Sequence, residues 1–268
     1  MKLGVIGVGN MATAILKGAI ESGFVQPEDV VIYDVLASQR QKAVDAFGVR
    51  AMESNVAVAQ TCDTLLLVVK PVYTAAVLKE IAPYVSGKAI ISIVTGWTLS
   101  LLSEGLGEHH GARLLRVMPN TPAMVGEGFS ALCEEATLTS DEMTWAKQLF
   151  DQLGTTAVLP ERLFDAVVAV SGSSPAYGYL LIEAMADGAV QQGLPRELAI
   201  RAAAQAILGA AKMVLETGEH PARLKDAVCS PGGTTIDAVY ELEKGGLRAT
   251  VMRAMQVCAE KSQRLGKK

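Results

Sequence analysis

The residues with the clearest chemical use stand at the start of the chain, where Gly4-Val5-Ile6-Gly7-Val8-Gly9-Asn10-Met11-Ala12 runs from a strand-like segment into a helical one. Gly7-x-Gly9-x-x-Ala12 in that setting reads as a dinucleotide signature. The first glycine permits a tight turn, the second lets backbone approach a pyrophosphate, and the alanine allows close packing of helix on strand. The helix start then faces the phosphates. A glycine turn used only for packing is the plainer alternative. Asp34 ends the next strand, at the spacing where a carboxylate takes both hydroxyls of an adenosine ribose. That favours NAD(H) and repels a 2′-phosphate, although Arg40 stands close enough in sequence to compensate; helix capping is the plainer role for Asp34. Asn55, and Val69-Lys70-Pro71 at the carboxyl end of a strand, fall in the crevice where such sheets bind ligands. Lys70 reads equally as a solvated strand end.

A second constellation, Arg116-Val117-Met118-Pro119-Asn120-Thr121-Pro122, follows another strand. Its prolines hold the residues before them extended, so the loop is either the wall of a nicotinamide pocket or a rigid crossover. A third, Ser230-Pro231-Gly232-Gly233-Thr234-Thr235, precedes an amphipathic helix. Converging backbone N–H groups and the helix start there suit a small anion such as a carboxylate, while a threonine cap after a turn explains the same residues without a ligand. Ser171-Gly172-Ser173-Ser174-Pro175 interrupts a helical stretch and reads as a buried kink at Pro175. His109-His110 read as a solvated loop and His220 as part of a turn, so no general-base histidine stands out.

The elements that must position these residues come in two textures. Strand-like runs at Leu3 to Ile6, Val30 to Tyr33, Thr64 to Val69, Ala89 to Val94 and Leu114 to Val117 alternate with helical patterns near Met11 to Ser22, Ser38 to Phe47, Val72 to Ile81 and Leu99 to Leu106. Apolar continuity in the strands suits a parallel sheet covered on both faces, hence an α/β doubly wound, Rossmann-type domain over residues 1–160. A helix at Asp141 to Leu153 and a strand at Thr155 to Leu159 close it before Pro160. From Glu161 strand signals vanish. Helical segments at Leu163 to Val170, Ala176 to Gln192, Arg196 to Thr217, Thr235 to Lys244 and Leu247 to Leu265 predict an all-α domain over residues 161–268. Its density of alanine and glycine allows close helix approach and points to packing against a second copy.

Composition excludes several classes. Twenty-four basic against 28 acidic residues give a formal charge of −4, and Lys and Arg are scattered, which argues against nucleic acid as a partner. Cys62, Cys133, Cys229 and Cys258 are far apart with no C-x-x-C pair, so neither a disulfide framework nor a metal site is expected. The start lacks the pattern of a secretory signal, so a cytoplasmic address is expected. The longest uncharged run, Ala166 to Ile182, falls short of the ~20 residues that span a bilayer, and no membrane partner is expected.

Taken in order, these motifs resemble those of pyrroline-5-carboxylate reductases over essentially the whole chain, with Gly193-Leu194-Pro195, Ser171 to Tyr177 and especially Cys229 to Thr235 adding to the likeness. The resemblance implies hydride transfer from NADPH or NADH to the imine carbon of 1-pyrroline-5-carboxylate, yielding L-proline in the last step of its biosynthesis. It also implies a C-terminal helical domain that interlocks with a partner in a dimer, often built into decamers. Carried over residue by residue, Ile6, Gly7, Val8, Gly9, Asn10, Met11, Asp34, Asn55, Val69, Lys70, Pro71, Ile93, Val94 and Thr95 contact the cofactor. Ser230, Gly232, Gly233, Thr234 and Thr235 hold the substrate, with Glu161 and Ser173 near its pocket, and the Thr235 hydroxyl hydrogen-bonds the ring nitrogen as the catalytic contact. Family members that prefer NADPH commonly carry a small polar residue where this chain has Asp34. Two other readings share the architecture. A β-hydroxyacid dehydrogenase needs a lysine on the first long helix of the second domain, and none occurs between Glu161 and Arg201. A non-catalytic NAD(H)-sensing scaffold has no use for the complete Ser230 to Thr235 loop.

Overall fold

Runs of Leu, Ile and Val without polar alternation make strands with both faces covered, and the computed structural model, which describes residues 1–266, gathers them into one eight-stranded sheet. In chain order the elements are β1 (Leu3–Ile6), α1 (Asn10–Glu21), β2 (Val30–Tyr33), α2 (Ala37–Phe47), β3 (Arg50–Ala51), α3 (Asn55–Thr61), β4 (Thr64–Leu67) and α4 (Pro71–Ile81). They continue through β5 (Ala89–Ser92), α5 (Leu99–Leu106), β6 (Arg113–Met118), β7 (Gly128–Cys133), α6 (Ser140–Asp151), β8 (Gly154–Leu159) and α7 (Phe164–Val167). The strand order is β3-β2-β1-β4-β5-β6-β7-β8, and every neighbouring pair is parallel except β6 with β7. After β3 the chain returns to the far side of β1, so β1 and β4 flank the switch point, where such sheets open a crevice at their carboxyl ends. Side chains alternate between two apolar layers. Leu3, Val5, Leu66 and Ile91 pack with Ile15, Leu16 and Phe150, whereas Ile6, Leu65, Leu67 and Ile90 pack with Val58, Leu78 and Ile81.

Several elements differ from expectation for local reasons. β3 has two exposed residues and no apolar pattern, and α3 has seven residues whose start is marked by the Ser54 cap on the Ala57 N–H. β7 follows a glycine-bounded turn and was not expected as a strand; it enters antiparallel to β6. The fourth and fifth strands end at Leu67 and Ser92, earlier than their apolar runs, because the residues that follow turn into the crevice. The stretch expected as one helix from Leu163 is a 3₁₀ turn (Glu161–Leu163), the four residues of α7, and a π-helical turn (Val168–Gly172).

The chain divides by packing into one unit of Met1–Gly172 with the stretch from Cys258 onward, and a second of Ser173–Val257. The division expected at Pro160 falls earlier than this one, because Phe164, Val167 and Val168 are buried in the same core as β1 and β7. In the second unit α8 (Ser174–Gln191), α9 (Arg196–Thr217), α10 (Pro221–Val228) and α11 (Thr234–Lys244) are followed by α12 (Leu247–Leu265), whose residues from Cys258 belong to the first unit. Pro175 sits in the first turn of α8 and begins that helix instead of kinking one. α10 lies where the sequence suggests only a turn at His220; that histidine is its N-cap, with Nδ1 accepting the Ala222 N–H. Helix α9 is long and apolar enough by composition to cross a bilayer, yet little of it is buried inside the unit.

Candidate active site

At the carboxyl ends of β1, β4, β5 and β6 lies a cleft of about 240 Å³. Met11, Val69, Lys70, Pro71, Ile93, Val94 and Thr95, all expected at a cofactor, line it together with Val68, Met118 and Pro119. The loop after β6 is therefore a cleft wall as well as a crossover. Gly7 has φ +89°, and a Cβ there would lie 2.6 Å from the Val68 carbonyl oxygen, so turn and close approach both demand glycine. Its N–H donates to the Tyr33 carbonyl at 2.8 Å, which locks the turn onto β2. Gly9 differs. Its backbone is extended and ordinary, and a Cβ would meet nothing within 4 Å. Nothing among the described residues occupies that space, and Gly9 is the N-cap of α1, with no side-chain capping bond and no acidic residue in the first turn. An open cradle over uncapped N–H groups fits a pyrophosphate in size and charge.

Asp34 bridges the two parts of this site. Its Oδ2 accepts the Val8 N–H at 2.8 Å and its Oδ1 the Leu36 N–H at 2.9 Å. It does not cap α2, whose N-cap is Leu36 without a side-chain bond. An ionised carboxylate offers about four acceptor sites, so two remain for hydroxyl donors. Arg40 turns back: Nη1 donates to the Asp34 carbonyl, and the guanidinium lies 5.3 Å from the Tyr33 ring centroid. Ile6 and Val8 are buried behind the loop and Asn10 is exposed. Asn55 is outside the cleft lining. It is buried at the start of α3, and its amide donates to Glu80 Oε2 at 2.8 Å.

Glu161 is also committed elsewhere. Its Oε1 accepts Arg116 Nη1 at 3.0 Å and the Leu99 N–H at 2.9 Å, and its own N–H donates to Glu135 Oε2. Arg116 is 5% exposed and stacks 4.6 Å from the Phe164 ring centroid, so this pair braces the start of α5 against α7. The Cys133 thiol and the Glu161 N–H hold the Glu135 carboxyl below its ordinary range. Burial, then the bond to Glu135, pushes the Cys133 thiol up to about 12, and burial raises Cys62 to about 11; neither is a nucleophile near neutral pH. Asn120, within the second motif but not singled out in it, is a further anchor. Its Nδ2 donates to the Ser171 carbonyl and hydroxyl oxygens, and its Oδ1 accepts the Phe129 N–H. An asparagine bracketed by two prolines was the only local hint. His110, expected in a solvated loop, is partly buried, with Nδ1 accepting the Ala112 N–H and Nε2 3.0 Å from Ser103 Oγ.

The remaining expected substrate residues lie in the second unit. Ser173 immediately precedes α8. In the Ser230 loop, the Gly233 N–H donates to the Ser230 carbonyl at 3.0 Å, Gly232 has φ +66°, and Gly233 is the N-cap of α11 with no side-chain capping bond. Thr234 and Thr235 are therefore the first two residues of the helix, and the reading of Thr235 as a cap does not hold. Among the described residues no hydrogen bond occupies the Thr235 hydroxyl, leaving it and the first N–H groups of α11 for a ligand.

Comparison with known proteins also falls into two parts. A family model described as pyrroline-5-carboxylate reductase dimerisation matches residues 161–265, and one described as NADP oxidoreductase, coenzyme F420-dependent, matches residues 2–96. The chain is 46% identical over 267 residues to the pyrroline-5-carboxylate reductase of Escherichia coli strain K12, covering 99% of this chain and 98% of that protein. It is 42% identical over 268 residues to the enzyme of that name from Methanosarcina acetivorans, covering 100% and 98%. The crystal structure of Plasmodium falciparum pyrroline carboxylate reductase with NADP bound superposes with a TM-score of 0.90 at 34% identity, covering 99% of this chain and 98% of that one.

Proposed function

The chain belongs to the pyrroline-5-carboxylate reductase family, and from that premise we propose how its residues divide the work of reducing 1-pyrroline-5-carboxylate to L-proline, the final step of proline biosynthesis. The enzyme is an oxidoreductase acting on a cyclic imine. A nicotinamide cofactor, when bound, supplies the hydride. A protonated imine already accepts hydride well, so the protein contributes mainly orientation and electrostatics, and no histidine base is needed. Gly7 to Met11 hold the pyrophosphate, Asp34 the adenosine ribose, and Val69 to Pro71 with Ile93 to Thr95 the nicotinamide side. Ser230, Gly232, Gly233 and Thr234 hold the substrate carboxylate over the start of α11, and the Thr235 hydroxyl bonds the ring nitrogen. Ser173 borders the substrate. Asn55 and Glu161 act at one remove, through Glu80 and through Arg116.

The observation that carries this assignment is the unfilled space at Gly9 over an uncapped helix, in a chain that also keeps an uncapped, hydroxyl-bearing start to α11. The test is oxidation of NADH and NADPH with 1-pyrroline-5-carboxylate, beside NAD reduction by a 3-hydroxy acid. Turnover of the hydroxy acid alone would overturn the assignment.

Asp34 supports use of NADH at least as well as NADPH, since its anchored carboxylate repels a 2′-phosphate. Asp34→Ser is expected to shift kcat/KM toward NADPH, and a wild-type enzyme strongly favouring NADPH would remove Asp34 from the ribose. The exposed apolar faces of α8 and α9 support a homodimer; the family resemblance extends that reading to decamers in the cytoplasm with no membrane partner, and scattered Lys and Arg at a net charge of −4 support the reading that nucleic acid is not a partner.

A further inference from the structure

Ile93, Val94 and Thr95 reach the cleft from a tight turn closed by the Trp97 N–H donating to the Val94 carbonyl at 3.3 Å. Gly96, the third residue of that turn, has φ +80°, the positive value a type II turn requires there. The outside of the turn rests on the end of α12: a Cβ on Gly96 would lie 3.3 Å from Leu265 Cβ and 3.4 Å from the Leu265 carbonyl carbon. One turn earlier on the same helix, Ser262 is 4% exposed and donates its hydroxyl to Asp165 Oδ1 at 2.6 Å. Asp165 sits in α7 beside the fully buried Phe164, so this bond fastens the helix end to the core of the first unit. Beyond the turn, Glu161 fixes the first N–H of α5 at Leu99. The turn is thus held between the anchored start of α5 and the anchored end of α12.

We infer that Ser262 and Leu265 are positioning residues for the nicotinamide-side wall of the cleft, setting the Val94–Trp97 turn from behind without touching the cleft. The inference rests on the cofactor reading of that cleft. Without the Ser262 bond the helix end gains freedom, the turn loses its backing, and Ile93 to Thr95 sample positions that do not match the cofactor. The cost falls on cofactor binding, because none of the loop residues assigned to the substrate is involved.

The test measures NADH affinity by fluorescence, KM for 1-pyrroline-5-carboxylate, and Tm on Ser262→Ala, Ser262→Thr and Leu265→Gly in the full-length enzyme. Ser262→Ala is expected to raise the NADH Kd about three- to tenfold, the effect of one lost hydrogen bond, with substrate KM unchanged, and Ser262→Thr is expected to restore it. Leu265→Gly frays only an exposed helix end and carries the test should Ser262→Ala fail to fold. A lowered Tm with wild-type NADH Kd in both Ser262→Ala and Leu265→Gly would overturn the inference. Gly9→Val separates this from the cleft reading. If it binds NADH normally, the cleft reading falls; if it loses NADH while the α12 variants keep it, only the role of α12 falls.

Discussion

The two units of this chain bury their apolar residues in different ways. In the first, the sheet is covered on both faces, and Phe150, Phe164, Leu66 and Ile91 are all sealed from solvent. In the second, residues 173–257, the only buried residues are Ala186, Ala199 and Ala203. Tyr179, Leu180, Leu215, Tyr240 and Met252 are each more than 60% exposed there. Burial stabilises by roughly 25 cal/mol per Å² of apolar surface removed from water, so the first unit contains its own stability whereas the second has most of its apolar area left to cover. On that contrast the sheet unit covers its own apolar residues, whereas the helical unit keeps an apolar surface open, in the part of the chain that matches a dimerisation family model.

The largest effect expected from this contrast is on assembly. Leu180→Asp, which places a charge on the exposed face of α8, should abolish self-association and with it activity, while the sheet unit keeps its near-UV signature. A monomeric, fully active species in light scattering would break the comparison, since obligate partners seldom leave a folded, working monomer. Next comes the sealed core of the first unit. Phe164→Ala removes a fully buried ring and the surface under Arg116, and should cost about 3 to 5 kcal/mol in denaturant unfolding. Recovery of wild-type stability would show that this core is less closely packed than its burial implies.

Smaller and more specific is Thr235→Val in the second unit. Loss of the hydroxyl at nearly constant volume should reduce kcat/KM about 10- to 100-fold, the range of 1 to 3 kcal/mol. NADH affinity and Tm should hold, because Gly233 and not Thr235 is the N-cap of α11. A stability loss with intact kinetics would refute the catalytic role. The smallest effect belongs to the surface of the first unit. The Arg113 guanidinium holds the Glu142 carboxyl below its ordinary value of 4.5, and Glu142 also closes the capping box with Thr139. A lowered folded-state value means that the contribution is present above about pH 4.5 and disappears as pH falls through the folded value. The Tm difference between wild type and Glu142→Gln should therefore be widest above pH 4.5 and shrink as pH falls below that through the folded value. A difference constant with pH would mean that the carboxylate charge is not what stabilises there.

Much of the architecture was legible in the sequence because its signals are local. Leu3 to Ile6 and Val30 to Tyr33 match their strands to the residue, since a strand buried on both faces needs an unbroken apolar run. Arg196–Thr217 and Leu247–Leu265 match their helices because glycine and proline punctuate them. The glycine loop was legible because Gly7 follows a strand and Gly9 precedes a helix, the setting in which dinucleotide turns use that spacing. Short or polar elements escaped: β3 has no apolar pattern, and β7 owes its place to pairing with β6 and β8.

What the sequence by itself determined is therefore the type and order of the long elements and the residue classes at the two candidate sites. What only the tertiary structure decided is which of those residues meet. Asn55 turns to Glu80, Glu161 to Arg116 across 45 residues, Asn120 to Ser171 across 51, and Ser262 to Asp165 across 97. Each partner is chosen by the closing of the fold, when a buried polar group must find a hydrogen bond or lose the one it had in water. No periodicity or spacing carries that choice, because it depends on which distant backbone arrives beside it.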